Sequence, residues 1–240
     1  MAAFFISDLH IDASRPAIIE QFLEFLATEA RHAEALYILG DLFESWVGDD
    51  AADAAQAAAT TGLRSLNSHG VPCFVMHGNR DFLLAERFCR DSGALLLPDP
   101  LIITLYGEPV LVMHGDALCT DDRAYQRLRA TVRDQDWQRR FLALPIASRR
   151  ALAGAARVGS KAHTAAVEYA ITDVNADSVA LALRGAGCST LLHGHTHRPA
   201  IHALQVDGRP CTRIVLGDWY DQGSLLRWDH NGPELKSLPR

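Results

Sequence analysis

The chain has 240 residues, is 48% hydrophobic and carries a formal net charge of −6, which suits one globular domain with a substantial core and disfavours a nucleic-acid partner. No apolar run is long enough to span a bilayer. The five cysteines are odd in number and lack paired spacing, which argues against a disulfide framework or a zinc–thiolate site and leaves them as small buried apolar residues.

Ala3 to Ile6 reads as a short buried strand, followed at once by Asp8-Leu9-His10. A chain that starts on such a strand lacks the basic-then-apolar stretch of a secretory signal, which predicts a cytoplasmic location. Ser14 and Pro16 mark a helix start, and Ile18, Ile19, Phe22, Leu23, Phe25 and Leu26 repeat at helical spacing. Leu36 to Leu39 is the next strand and ends on Gly40-Asp41, completing one β-α-β unit. The Ala-rich stretch from Asp50 to Leu66 predicts a second crossover helix, with Gly70-Val71-Pro72 as its exit turn. Cys73 to Met76 then leads to Gly78-Asn79-Arg80-Asp81, and Val110 to Met113 to His114-Gly115-Asp116. From Asp121 to Val174 no strand is predicted. Tyr125, Leu128 and Val132, then Trp137, Phe141 and Leu144, fall on helical stripes, which predicts a helical insertion at about 121–174 covering the rim of a single domain spanning 1–240. Thr190 to Leu192 precedes Gly194-His195-Thr196-His197, and a sixth run, Arg213 to Leu216, leads into Gly217-Asp218-Trp219. There is no internal repeat or low-complexity linker.

Ligands in α/β sheets bind beyond the carboxyl ends of the strands, so residues at those ends converge on one rim. Here the ends deliver Asp8, His10, Asp41, Asn79, His114, His195 and His197, oxygen and nitrogen ligands in number for two metal ions. Carboxylate, amide and imidazole without thiolate favour Mn²⁺ over a closed structural zinc site. Two ions roughly 3.5–4 Å apart need a shared ligand, and a carboxylate such as Asp41 can bridge them where an imidazole cannot. Two divalent ions against Asp8 and Asp41 leave a positive site that attracts phosphate.

Residues 123 to 161 hold ten Arg or Lys against only Asp134 and Asp136. The insertion is therefore a basic, amphipathic element on an acidic body, suited to an anionic substrate, an anionic membrane surface or both, the plainer reading being a solvated helix face. Likewise the Trp137, Phe141 and Leu144 stripe serves either an apolar groove or ordinary packing onto the sheet. Nothing in the sequence calls for an obligate protein partner.

The five ligand blocks, in this order, resemble the motif string of the calcineurin-like metallophosphoesterases. That resemblance implies an α/β fold, a two-sheet β-sandwich flanked by helices. It also places Asp8, His10, Asp41 and His197 on one metal and Asp41, Asn79, His114 and His195 on the other. His77, His193 and Asp116 are then structural neighbours. The departure is Arg80, where most of the superfamily has a histidine thought to protonate the leaving group. Arginine stays protonated and cannot be a general acid, but its planar fork suits a phosphate clamp. The leaving group should then need no proton, which points to a phosphoanhydride.

Gly78-Asn79-Arg80-Asp81-Phe82, the His114-Gly115-Asp116 block with Cys119-Thr120-Asp121-Asp122, Asp173-Val174-Asn175, and His193 to Pro199 resemble, more narrowly, the UDP-2,3-diacylglucosamine diphosphatase family of lipid A synthesis. This implies Mn²⁺-dependent hydrolysis of UDP-2,3-diacylglucosamine to UMP and 2,3-diacylglucosamine 1-phosphate, by a peripheral enzyme of the cytoplasmic face of the inner membrane. The water held between the two Mn²⁺ would attack the α-phosphorus. Asp41, Asn79, Arg80 and His195 are the expected catalytic residues, and Asn79, Arg80, Asp122, Ser160 and His195 the expected substrate contacts. The family commonly has Asn and Lys four and seven residues after that Ser, where this chain has Thr164 and Val167. Two other readings stay open: a phosphoesterase for another nucleotide, and a non-catalytic binding module on the same fold.

Overall fold

The computed structural model describes residues 2–166 and 173–239. Its strands, in chain order, are β1 (Ala2–Ile6), β2 (Ala33–Ile38), β3 (Cys73–Met76), β4 (Leu95–Leu97), β5 (Leu101–Leu105), β6 (Glu108–Met113), β7 (Thr190–His193), β8 (Ala200–Val206), β9 (Arg209–Val215), β10 (Gly223–Asp229) and β11 (Gly232–Leu238). The helices are α1 (Pro16–Ala27), α2 (Ala54–Ser68), α3 (Glu86–Ser92), α4 (Arg123–Val132), α5 (Gln135–Leu142), α6 (Ile146–Ala166) and α7 (Ala176–Ala186). One sheet runs β11-β10-β1-β2-β3-β4 and the other β5-β6-β7-β9-β8. The expected two-sheet sandwich is thus present, with parallel strands at the centre of each sheet and antiparallel pairs at every edge but one, where β4 pairs parallel to β3.

Strand β1 reads as an unbroken apolar run because both of its faces are buried. Phe4 and Ile6 join Ile18, Phe22 and Phe25 of α1, Leu63 of α2 and Phe88 of α3 in one core. Ala3 and Phe5 point the other way and meet Val110, Val112, Leu192 and Ile214 of the second sheet. A third core packs Val179 and Leu183 of α7 on Leu111, Met113 and Leu191. The layers are therefore helix, sheet, sheet, helix.

Helix ends differ from the sequence reading for identifiable reasons. Pro16 is the first helical residue of α1, but its neighbour Ser14 turns its hydroxyl to Asp12 at 2.5 Å instead of capping the helix. Helix α2 starts at Ala54 because Asp53 and Gln56 form a reciprocal capping box, both bonds 2.9 Å long. Asp50 lies outside it and receives Arg149 of α6, whose guanidinium donates at 2.7 and 2.5 Å and also reaches the Val47 carbonyl at 2.6 Å. This buried arginine fastens the α4–α6 helices to the body.

The loops after the strand ends are tied to their neighbours within each sheet, and Trp219, between β9 and β10, joins them. Asp8 N donates to the Gly40 carbonyl at 3.1 Å, His10 N to that of Asp41 at 3.0 Å, and Gly194 N to that of His114 at 2.9 Å. Trp219 N reaches the Asp8 carbonyl at 3.3 Å.

Phe5 is fully buried between the sheets and stacked on Tyr37 at 4.7 Å, so Phe5→Ala should cost about 3–5 kcal/mol of unfolding free energy in urea titration. Asp53→Ala should cost only about 1 kcal/mol, the worth of a helix cap.

Candidate metal centre

Five of the seven expected ligands occupy left-handed backbone that L-residues rarely adopt: Asp8 (φ 56°), His10 (51°), Asp41 (52°), His195 (69°) and His197 (55°). Such conformations persist only where the surroundings enforce them, and they gather at functional sites. At Asp41 and Asp8 those surroundings include glycines that let the chain approach closely. A Cβ on Gly78 would collide with Asp41 Oδ1 and Asp41 N, and one on Gly194 with Ser7 Oγ and Asp8 Oδ2.

The side chains then fall into two groups, Asp8, His10 and His197 in one and Asp41, His114 and His195 in the other. Asn79 joins the second, its Oδ1 lying 2.9 Å from His114 Nε2 and 2.8 Å from His195 Nδ1. Asp41 faces both: Oδ1 is 3.8 Å from His114 Nε2 and Oδ2 is 3.7 Å from His10 Nε2. The Arg80 amide fixes this orientation by donating to Asp41 Oδ1 at 2.8 Å. All seven residues are thus gathered in one place.

Outer partners set the imidazole orientations, the role such groups have around metals. His114 Nδ1 lies 2.9 Å from the Leu39 carbonyl, which turns Nε2 inward. His10 Nδ1 lies 3.3 Å from Glu44 and His197 Nδ1 lies 3.0 Å from Asp218. Ser7 Oγ and His195 N both donate to Asp8 Oδ2, at 2.5 and 2.8 Å. Glu44, Asp218 and Ser7 were missed in the sequence reading as site residues. Ser7 and Asp218 each sit beside or within a strand-end block, and that position was their only signal.

Electrostatics favour a cation. Burial would raise Asp8, yet His197, His114 and His10 hold it well below the usual carboxylate range. Burial would lower His114 and His197, but Asp41, Asp116 and Asp8 lift the former to about 9, and Asp8 with Asp218 lifts the latter to about 10. His10 Nε2 and His197 Nε2 face each other across 3.3 Å. Nitrogen and oxygen donors converging beside carboxylates are the donor set of divalent ions such as Mn²⁺, so these residues fit the expected metal pair.

Asp81 and the three neighbours named from sequence, His77, His193 and Asp116, have structural partners. Asp81 Oδ1 accepts from Gly78 N at 2.8 Å, and burial together with Asp41 pushes its carboxyl up to about 6. His77 Nε2 lies 2.8 Å from the Leu84 carbonyl, and His193 Nδ1 the same distance from that of Gly194. Asp116, fully buried, receives the Tyr125 hydroxyl at 2.6 Å and Arg129 Nε at 2.8 Å. Arg133 extends this clamp by donating to the Gly78 carbonyl at 2.9 Å. Helix α4 is thereby pinned to the loops that follow β3 and β6, both of which carry expected ligands.

Asn79 and Arg80 open onto a cavity of about 540 Å³ beneath α4–α6, with Phe82, Val132, Trp137, Phe141 and Leu152 among its walls. Trp137 stacks on Phe141 at 5.0 Å, so that stripe both packs and lines the cavity. The basic segment divides. Arg129, Arg133, Arg149 and Arg157 turn inward onto Asp116, Gly78, Asp50 and Glu44, which leaves a smaller outward charge than the sequence count implies. Asp122 caps α4, accepting from Tyr125 N at 2.9 Å. Ser160 and Thr164 lie on α6 with their side chains outside the described residues, and Val167 lies outside them altogether. Asn175 of the Asp173-Val174-Asn175 motif caps α7 and donates to Asp121 at 3.0 and 3.1 Å.

A profile of the calcineurin-like phosphoesterases matches residues 1–199. Over 247 residues the chain is 52% identical to the UDP-2,3-diacylglucosamine hydrolase of Stenotrophomonas maltophilia strain R551-3, with all of both chains covered. It is 54% identical over 241 residues to the protein of that name from Pseudomonas paraeruginosa strain DSM 24068 / PA7, again with full coverage of both. The chain therefore belongs to the calcineurin-like phosphoesterase family and, within it, to the family of the UDP-2,3-diacylglucosamine hydrolases.

Proposed function

We propose that this chain hydrolyses the diphosphate of UDP-2,3-diacylglucosamine to UMP and 2,3-diacylglucosamine 1-phosphate, a step of lipid A synthesis. The observation that carries the reading is continuity: the ligand cluster passes through Asn79 and Arg80 directly into the largely apolar cavity under α4–α6. A substrate with a diphosphate at one end and two acyl chains at the other needs this pairing of polar and apolar surface.

Asp8, His10, Asp41 and His197 would hold one divalent ion, and Asp41, Asn79, His114 and His195 the other, with Mn²⁺ as the assigned metal. When bound, the pair supplies a reactive water and neutralises charge building on the phosphate. The remaining work falls to the protein. Asn79 and His195 would contact the phosphates from within the ligand cluster, and Arg80, lining the cavity with Asn79, would hold a phosphate oxygen. Because Arg80 cannot donate its proton, the departing sugar phosphate leaves as an anion, as its second pKa near 6 allows. Asp122, at the head of α4, and Ser160, on α6, would contact substrate.

We read α4–α6 as a cap inserted into a single domain, with the clamp on Asp116 setting its height above the metals. Away from the cavity it exposes Val158, 70% accessible, and it carries Arg123, Arg127 and Arg150 at exposed positions. Such a surface suits peripheral contact with an anionic membrane, here assigned to the cytoplasmic face of the inner membrane. No helix among the described residues is long and apolar enough to cross a membrane.

A product assay on UDP-2,3-diacylglucosamine in water labelled with heavy oxygen should show Mn²⁺-dependent turnover with the label in UMP. Label in the sugar phosphate would reverse the proposed direction of attack, and faster turnover of a soluble nucleotide would replace the substrate. Arg80→His should lower kcat/KM by about ten- to a hundredfold, the worth of a hydrogen bond to a charged group; wild-type efficiency would remove the clamp. Asp116→Asn should raise KM for the acylated substrate about tenfold, the cost of weakening a charge-assisted contact, with kcat and bound Mn²⁺ little changed. A fall in metal content in step with activity would instead make Asp116 a support of the ligand loops alone.

A further inference from the structure

The cluster has a second flank. Past His197 lies another cavity, of about 320 Å³, near the small end of the roughly 300–1,000 Å³ range of ligand pockets. The His197 ring is the wall between the two: Nε2 faces Asp8 Oδ1 at 3.3 Å, while Nδ1 faces Asp218 Oδ2 at 3.0 Å, and Asp218 lines the cavity. Tyr220 stands beside the same wall, its ring 5.6 Å from that of His197 and 5.3 Å from that of His10, with the Arg15 guanidinium 4.4 Å away.

The lining differs in kind from that of the lipid cavity. Asp218, Asp221, Gln222, Ser224, Lys236 and Ser237 supply carboxylates, an amide, hydroxyls and an ammonium. An acyl chain would leave these groups unpaired, and a phosphate would face two carboxylates, so neither belongs there. A nucleoside does. The uracil edge alternates acceptor, donor and acceptor, which an amide such as Gln222 and an ammonium such as Lys236 can match. The ribose diol offers two donors to carboxylates. Gln222 is already oriented, its Nε2 donating to Ser237 Oγ at 3.1 Å.

We propose that the polar cavity behind His197 is the nucleoside subsite, taking the ribose and uracil of a uridine nucleotide whose phosphate rests on the ligand cluster. This rests on the substrate reading above and deepens it: the substrate would lie across the cluster, with its acyl chains under α4–α6 and its base against β10 and β11. Asp221, Gln222 and Lys236 become specificity residues for the base and sugar.

Equilibrium dialysis of UMP, CMP and inorganic phosphate against the Mn²⁺-loaded protein tests this without turnover. The wild type should bind UMP more tightly than CMP. Gln222→Ala and Lys236→Ala should each weaken UMP about tenfold and narrow its margin over CMP, while phosphate binding and thermal stability stay as in the wild type. Unchanged UMP binding in both variants, or a wild type that does not bind UMP, would overturn the subsite. A wild type that binds UMP through Gln222 but fails to hydrolyse UDP-2,3-diacylglucosamine would leave the subsite standing and remove the proposed function.

Discussion

Asp41 faces both ligand groups only because the backbone on either side comes closer than any side chain would permit. A Cβ on Gly40 would lie 2.5 Å from His114 Nδ1 and 2.7 Å from the Gly78 backbone, and one on Gly78 would strike Asp41 itself. Two glycines thus let the ends of β2, β3 and β6 meet. Once they meet, the Arg80 amide holds one carboxylate oxygen toward His114 and leaves the other toward His10. The left-handed turns at Asp8, His10, His195 and His197 complete the arrangement from the ends of β1 and β7.

The same geometry explains which parts of the protein were legible in its sequence. The ligand residues were visible because each follows a short apolar run, and a run buried on both faces, such as Phe4-Phe5-Ile6, needs no alternation to be read as a strand. Strands β8 and β11 carried no such mark. Their sequences AIHALQV and GPELKSL are largely exposed edge strands, where polar residues are tolerated and propensity is weak. Helix α3 is seven residues long, too short for a helical period to show. Glu44 was invisible for another reason: its closeness to His10 comes from the turn after β2, and no spacing in the sequence encodes it.

The α4–α6 region shows where counting charges misleads. Ten basic residues read as one cationic face, but four of them spend their charge on partners inside the protein. Arg149 holds the segment to Asp50, Arg157 holds it to Glu44, and Arg129 and Arg133 hold α4 to the loops beside His114 and Asn79. The interior arginines therefore join the lipid-sized cavity to the ligand cluster, and the outward ones remain for a surface. Glu44 belongs to both systems, touching His10 on one side and Arg157 on the other, so the position of α6 and the orientation of a metal-facing imidazole are set by one carboxylate.

Everything proposed about reactivity depends on two cations sharing Asp41. Crystals grown with Mn²⁺ and measured at the manganese absorption edge address this directly. Two anomalous peaks roughly 3.5–4 Å apart, with one Asp41 oxygen on each, are the predicted result. A single peak, or two peaks with Asp41 bound to only one of them, would contradict it.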